Sequence, residues 1–258
     1  SRGQKYPPVQ HQAYCSPCDG VILEPLCSAL YPEYSTDPAI YVCPSSSRHS
    51  LSDMYYANGA KETVLAFRGA DGDTTYNDWW KGAWSYSYFG FVYDRCDDKP
   101  ENMIDAAPFL TIVQSIRPGI VFPDDPQVPG QFAQQWLRLM TQNDLGAMPN
   151  NRRGPYEPYE NDSTGLKPYG NGGGDVVYRL REGIERFLIT DINNPAATAQ
   201  AQSSVFIMWD RISAKVSDFN HVPGGGNVLY MDGHVEFIRY PSTKAPITLS
   251  WALGSSLF

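Results

Sequence analysis

The sequence has little charge, few histidines and no long apolar run, and each shortage removes a class of function. Charged residues make up 19% of the 258, and acids outnumber bases 28 to 20, for a net charge of −8. Phosphate recognition needs a clustered basic face, so nucleic acid and anionic membrane are excluded as partners. The pair Arg152-Arg153 is too short to reverse that balance and reads as a solvated loop. No run approaches the ~20 apolar residues of a membrane span, and no signal peptide is visible. Only four histidines occur, His11, His49, His221 and His234. No Gly-x-Ser-x-Gly elbow is present, and no Cys-His pair stands out. The triplets Gly172-Gly173-Gly174 and Gly224-Gly225-Gly226 resemble phosphate cradles by composition alone. Neither has the Lys-Ser/Thr of a P-loop nor the spacing of a dinucleotide fingerprint. Catalysis is not expected.

What is present points to an ordered, turn-rich, mixed fold. Hydrophobic residues at 42% suffice for a core, and 17 Tyr, 22 Gly and 21 Pro argue for long ordered loops rather than disorder. The expectation is one α+β domain, 1–258, with an antiparallel β-sheet. Helices are expected at 21–30 (Ile22, Leu26 and Leu30 on one stripe), 130–143, 176–188 (Val177, Leu180, Ile184 and Leu188 inward) and 194–202. Strands are expected at 40–43, 63–67, 86–93 and 204–209. Pro108 reads as breaking any helix in 101–116. Residues 148–175 form a long Gly, Pro, Asn and Tyr-rich insertion, a length that is usually functional or an interface.

The C-terminal part, 204–240, carries the most specific signal, FNHVPGGGNVLYMDGHVEF from Phe219 to Phe237. Asp232-Gly233 predicts a two-residue type I′ turn between strands 227–231 and 234–238. That register sets Met231 opposite His234 and Leu229 opposite Glu236. Val228, Tyr230, Val235 and Phe237 then share one apolar face, expected to be buried. The stretch resembles the His-x9-Asp-Gly signature of prepilin-type, processing-associated proteins of planctomycete-like bacteria. The matching residues are His221, Asp232, Gly233 and His234, with a ten-residue spacer, Val222 to Met231, one longer than the pattern. LYPEYSTDPAIYVCPSS from Leu30 and SYSYFGFVYD from Ser85 resemble the same family.

The resemblance implies a pilin-like globular head with a C-terminal β-hairpin and long loops, like type IV pilins and type II secretion pseudopilins. Such proteins open with an apolar assembly helix, whereas this sequence opens SRGQKYPPVQHQAYC, polar and Pro-containing. Either that helix has been removed or it was never there, and the stretch reads as a soluble head with no membrane contact. The implied location is extracellular or at the cell surface. The implied partners are further copies or related pilin-like subunits.

Four of the five cysteines, Cys15, Cys18, Cys27 and Cys43, lie in a Cys-rich segment, 1–45, with little core of its own; Cys96 is the fifth. Disulfides would compensate for that deficit and suit the implied compartment, and their pairing is open. Structural zinc on Cys15-x-x-Cys18 with Cys27 and Cys43 is the rival, weakened because the second half lacks a Cys-x-x-Cys.

Calcium is the other candidate ion. Asp71, Asp73, Thr75, Asn77 and Asp78 alternate through GADGDTTYND, a spacing that hard cations use, although a polar turn explains it too. Asp210, Asp218 and Asp232 near the signature form a second candidate set. His221 and Asp232 could couple, but a histidine beside a glycine loop more often fixes that loop through a backbone bond. Trp79, Trp80, Tyr156, Tyr159 and Tyr169 are candidate interface residues. Two functions follow: a non-catalytic structural subunit of a pilus-like or pseudopilus-like assembly, or a surface module binding carbohydrate or peptide through aromatic loops.

Overall fold

The computed structural model describes residues 5–12, 20–26, 29–46, 48–55, 85–110, 124–142, 157–188, 195–214, 216–222 and 224–255. The expected strand 63–67 and the polar excursion 68–78 lie outside these residues, as does the first part of the insertion. Helix and antiparallel sheet are mixed, as the composition and patterning lead one to expect. Among the described residues no helix is long and apolar enough to cross a membrane.

Among the described residues there are three antiparallel sheets. β1 (Val9–Gln12) pairs with β2 (Gly20–Pro25), and β4 (Met103–Asp105) pairs with β5 (Gln127–Pro129). The main sheet runs β3 (Tyr86–Tyr88), β6 (Phe206–Asp210), β7 (Gly225–Tyr230), β8 (Val235–Arg239) in that spatial order. Among the described residues β8 is therefore an edge.

The helix Gly130–Gln142 forms where its three-four spacing places it, directly after Pro129. It sends Phe132 and Leu139 into the core. The helix Pro195–Ser204 opens on a first-turn proline, and β6 follows it, buried along most of its length. A last helix, Leu249–Ser255, was not foreseen. Thr248 caps it, its Oγ1 accepting the Trp251 N–H at 3.2 Å. Trp251 completes an aromatic nucleus around Phe89, whose ring lies 5.3–6.1 Å from those of Phe132, Trp209, Trp251, Trp136 and Tyr93. Most of these pairs meet edge to face, the arrangement that ring quadrupoles favour.

Several expected elements are different in the structure. The 21–30 stripe is not a helix: Gly20–Pro25 is strand β2. Pro25 lacks the N–H a helix needs and pushes Glu24 toward extended backbone, while Val21 and Ile22 are β-branched. Residues 40–43 are not a strand, because Pro38–Tyr41 is a 3₁₀ turn whose Asp37 side chain accepts the Ala39 N–H. Pro108 does not forbid a helix either; it sits in the first turn of one that begins at 107, where no N–H is required. The 86–93 strand stops early, since Gly90 at φ 76° turns the chain away from β6. Beyond it, Val92 N–H bonds Tyr178 O at 2.8 Å.

Residues 176–188 show the right burial on the wrong framework. Val177, Leu180 and Ile184 are fully buried. The backbone is nonetheless extended, bridging 177 to 163 and 179 to 91 before a 3₁₀ turn at Ile184–Phe187. Gly183 at φ 73° and the β-branched pair Val176-Val177 disfavour a helix there. Arg179, with no exposed surface, is the hub of this region. Its guanidinium donates to Gly90 O, to Tyr88 Oη at 3.3 Å, to Tyr6 O at 3.3 Å and to Pro7 O at 2.5 Å. Burial pushes the Tyr88 phenol up to about 12, against the opposing pull of Arg179.

The closing hairpin also differs by one residue. Leu229 pairs with Val235 and Val228 with Glu236. The loop is Met231-Asp232-Gly233, with Gly233 N–H bonding Tyr230 O at 3.0 Å and Gly233 at φ 89°. Three-residue loops of this kind are a turn closed by a left-handed glycine, and Asp-Gly serves them as well as the two-residue turn. A one-residue slip moves side chains to the opposite face. Val228 and Tyr230 are buried as expected, but Val235 is 59% and Phe237 50% exposed.

Candidate functional site

One end of β6 brings together a thiol, a carboxylate and an imidazole. Asp210 closes β6 opposite Tyr86 of β3 and is 2% exposed. Its Oδ2 is held from the β7 side by the Asn227 backbone N–H at 2.7 Å and by Asn227 Nδ2 at 2.8 Å. Gly226 permits this closeness, because a Cβ there would meet Asp210 Cβ at 3.3 Å. His221 comes from the loop between β6 and β7, where its carbonyl accepts the Gly224 N–H at 2.7 Å. Cys43 arrives from the turn that follows Pro38–Tyr41 and is also 2% exposed.

Among the described residues, both polar contacts of the imidazole fall on one atom. His221 Nε2 lies 2.9 Å from Asp210 Oδ2 and 3.3 Å from Cys43 Sγ. A nucleophile-base-acid relay uses opposite ring nitrogens for the nucleophile and the acid, so this is not a cysteine-hydrolase arrangement. It is a point of convergence. Among the described residues, these three form the group of His, Cys, Asp or Glu side chains whose donor atoms all lie within 4.8 Å of one another. Burial, assisted by the nearby Asp210 carboxylate, pushes the Cys43 thiol up. Burial, then Cys43 and Asp210, push the Tyr86 phenol up to about 12. A second tie lies alongside, Arg48 Nη2 to Asp218 Oδ1 at 2.7 Å, and it clasps the Cys43 segment to the His221 loop.

The expected site residues are distributed differently. Asp210, Asp218 and Asp232 do not form a common cation site: Asp218 is paired with Arg48, and Asp232 Oδ1 meets His234 Nδ1 at 2.6 Å. His221 accordingly couples to Asp210 rather than to Asp232. The His234 ring stacks on Tyr230 at 4.4 Å, and its bond holds the exposed Asp232 carboxyl below its usual range. The disulfide expectation fails for Cys43 and Cys96, which are free and buried. Cys96 Sγ instead donates to Gln131 Oε1 at 3.3 Å. Tyr159 is 3% exposed and packs in the core against Trp136, so it is no surface residue. Tyr169 is half-buried over Gly130. Asp71, Asp73, Thr75, Asn77, Asp78, Trp79, Trp80, Tyr156, Cys15, Cys18 and Cys27 lie outside the described residues.

The two glycine triplets have structural duties. Gly172 N–H donates to Asp94 Oδ2 at 2.8 Å, so that loop closes on a carboxylate of its own chain. Gly225 at φ 144° passes so close to Ile238 that a Cβ would overlap its carbonyl oxygen. The Cys43–His221 contact was missed because the partners are 178 residues apart. One signal was available. The segments from Leu30, from Ser85 and from Phe219, which carry the family resemblance, supply Cys43, Tyr86 and His221 to this one place. In comparisons with family models, curated proteins and solved structures, nothing matches the chain.

Proposed function

We propose that this chain is a non-catalytic structural subunit of an extracellular, pilus-like assembly, with a pilin-like head whose β8 edge meets a neighbouring copy. The observation that carries the reading is the exposure of Val235 and Phe237 on a strand that, among the described residues, is the edge of its sheet. Exposed edges template strand addition, and soluble proteins usually blunt them with charge, proline or a bulge. On β8 the charges are Glu236, paired with Lys244, and Arg239 at the strand's end, while a valine and a phenylalanine take the outward positions before it, with Val222 54% exposed in the adjoining loop. Exposed apolar residues grouped in one patch and rimmed by polar ones favour a contact. The resemblance of the closing hairpin to prepilin-type proteins supports the same reading.

The test is solution mass by light scattering as a function of concentration, for the wild type and for the double variant Val235→Lys, Phe237→Lys. Concentration-dependent association that the double variant loses, with an unchanged far-UV spectrum, is expected. A wild-type chain that stays monomeric to millimolar concentration would overturn the reading.

A further inference from the structure

We propose that Cys43 Sγ, the Asp210 carboxylate and His221 Nε2 bind one divalent transition-metal ion of the zinc class, leaving a coordination position for water or an incoming group. The first argument is geometric. Tetrahedral zinc, with bonds of about 2.3 Å to sulfur and about 2.0 Å to nitrogen or oxygen, separates S from N by about 3.6 Å and N from O by about 3.3 Å. The observed separations are 3.3 Å and 2.9 Å, so a few tenths of an ångström of opening admits the ion.

The second argument is valence. Nε2 offers a single proton or a single lone pair, so it serves the carboxylate or the thiol but not both, and the thiol falls back on the same Asp210 carboxylate. An ion satisfies all three at once, taking the imidazole lone pair, the carboxylate and the thiolate while the thiol proton leaves to solvent. The third is support. Asn227 fixes the carboxylate through two N–H bonds to Oδ2, the kind of outer contact that orients a ligand. Entry is available, since the His221 side chain is 23% exposed.

The donor set selects the ion. Thiolate with imidazole suits zinc, cobalt or copper, whereas calcium takes oxygen ligands at coordination numbers this cluster does not supply. Because the ligands come from positions 43, 210 and 221, a bound ion cross-links the N-terminal half to the main sheet. The proposal does not rest on the edge-strand reading, because its test leaves Val235 and Phe237, whose ring meets that of His221 edge-on, unchanged.

Titration of the full chain with Co²⁺, under reducing conditions, is the test. One equivalent is expected to give an intense near-ultraviolet sulfur-to-cobalt band that Zn²⁺ displaces. Cys43→Ser abolishes the band, and His221→Gln weakens binding by more than ~100-fold, beyond the loss an outer-contact residue causes. The double variant Cys15→Ser, Cys18→Ser keeps it. Absence of the band, or its loss in the Cys15/Cys18 variant with retention in Cys43→Ser, overturns the proposal. X-ray absorption on the wild type with zinc bound needs no variant. One sulfur at about 2.3 Å with nitrogen and oxygen at about 2.0 Å agrees with the site, and a shell of four sulfurs or of none overturns it.

Discussion

β7 and β8 belong to one hairpin and carry similar apolar patterns, yet they live in different environments. Val228 and Tyr230 of β7 are 0% and 1% exposed; Val235 and Phe237 of β8 are 59% and 50% exposed. The cross-strand partners explain it. Val228 and Gly226 share the inward face with Glu236 and Ile238, and of that β8 pair only Ile238 is buried. Asn227 and Leu229 share the outward face with Phe237 and Val235. β7 also has β6 on its far side, whereas among the described residues β8 has no strand beyond it. Alternation tells which residues share a face; register and neighbours decide which face is wet.

Truncating both strands gives the largest contrast. Tyr230→Ala should cost about 3 kcal/mol of stability, the usual loss for a buried aromatic, and Phe237→Ala less than about 0.5 kcal/mol in the monomer. Urea unfolding at low protein concentration measures both, and equal costs would show that β8 is covered within the monomer. A smaller contrast lies between two positive-φ glycines. Gly225→Ala should cost about 2 kcal/mol through strain and the clash with Ile238, and Gly233→Ala about 1 kcal/mol, since nothing lies within 4 Å of its added Cβ. If Gly233→Ala proves the costlier, the loop geometry described here is wrong.

The least effect comes from the turn itself. Asp232 is held deprotonated by His234, so its contribution is complete above the ordinary carboxylate range and lost as pH falls through its depressed folded value. The urea midpoints of wild type and Asp232→Asn should therefore differ near neutrality and merge on acidification. A gap that persists in strong acid would assign the difference to something other than the carboxylate charge.

Legibility in the sequence followed how local the deciding interaction was. The helix at 130 and strand β6 were readable because periodicity and a flanking proline act within a few residues. The location of the hairpin was readable and its register was not, because Asp-Gly is compatible with both loop lengths. At 176–188 the inward residues were right and the helix was wrong. There the backbone of 177–180 bonds to 6, 90–92 and 163, partners that no window on the segment contains. The candidate site shows the extreme case: Asp210 and His221 were each singled out for other pairings, and Cys43 for a disulfide or a cysteine-bound zinc. What unites them is the packing of the 37–55 segment beside the end of β6, which no spacing rule encodes.

The spokes of Arg179 have a consequence in time. Tyr6 and Pro7 lie 173 and 172 residues before the guanidinium that their carbonyls solvate. At a synthesis rate of about 5–20 residues per second, that partner emerges on the order of ten to thirty seconds after they do. Because a guanidinium cannot shed its charge, its pocket cannot close dry until they return. The earlier-made of these partners are thus held in waiting, and a nascent chain with this design gains from a chaperone or a slow exit that keeps Tyr6 and Pro7 free until Arg179 arrives.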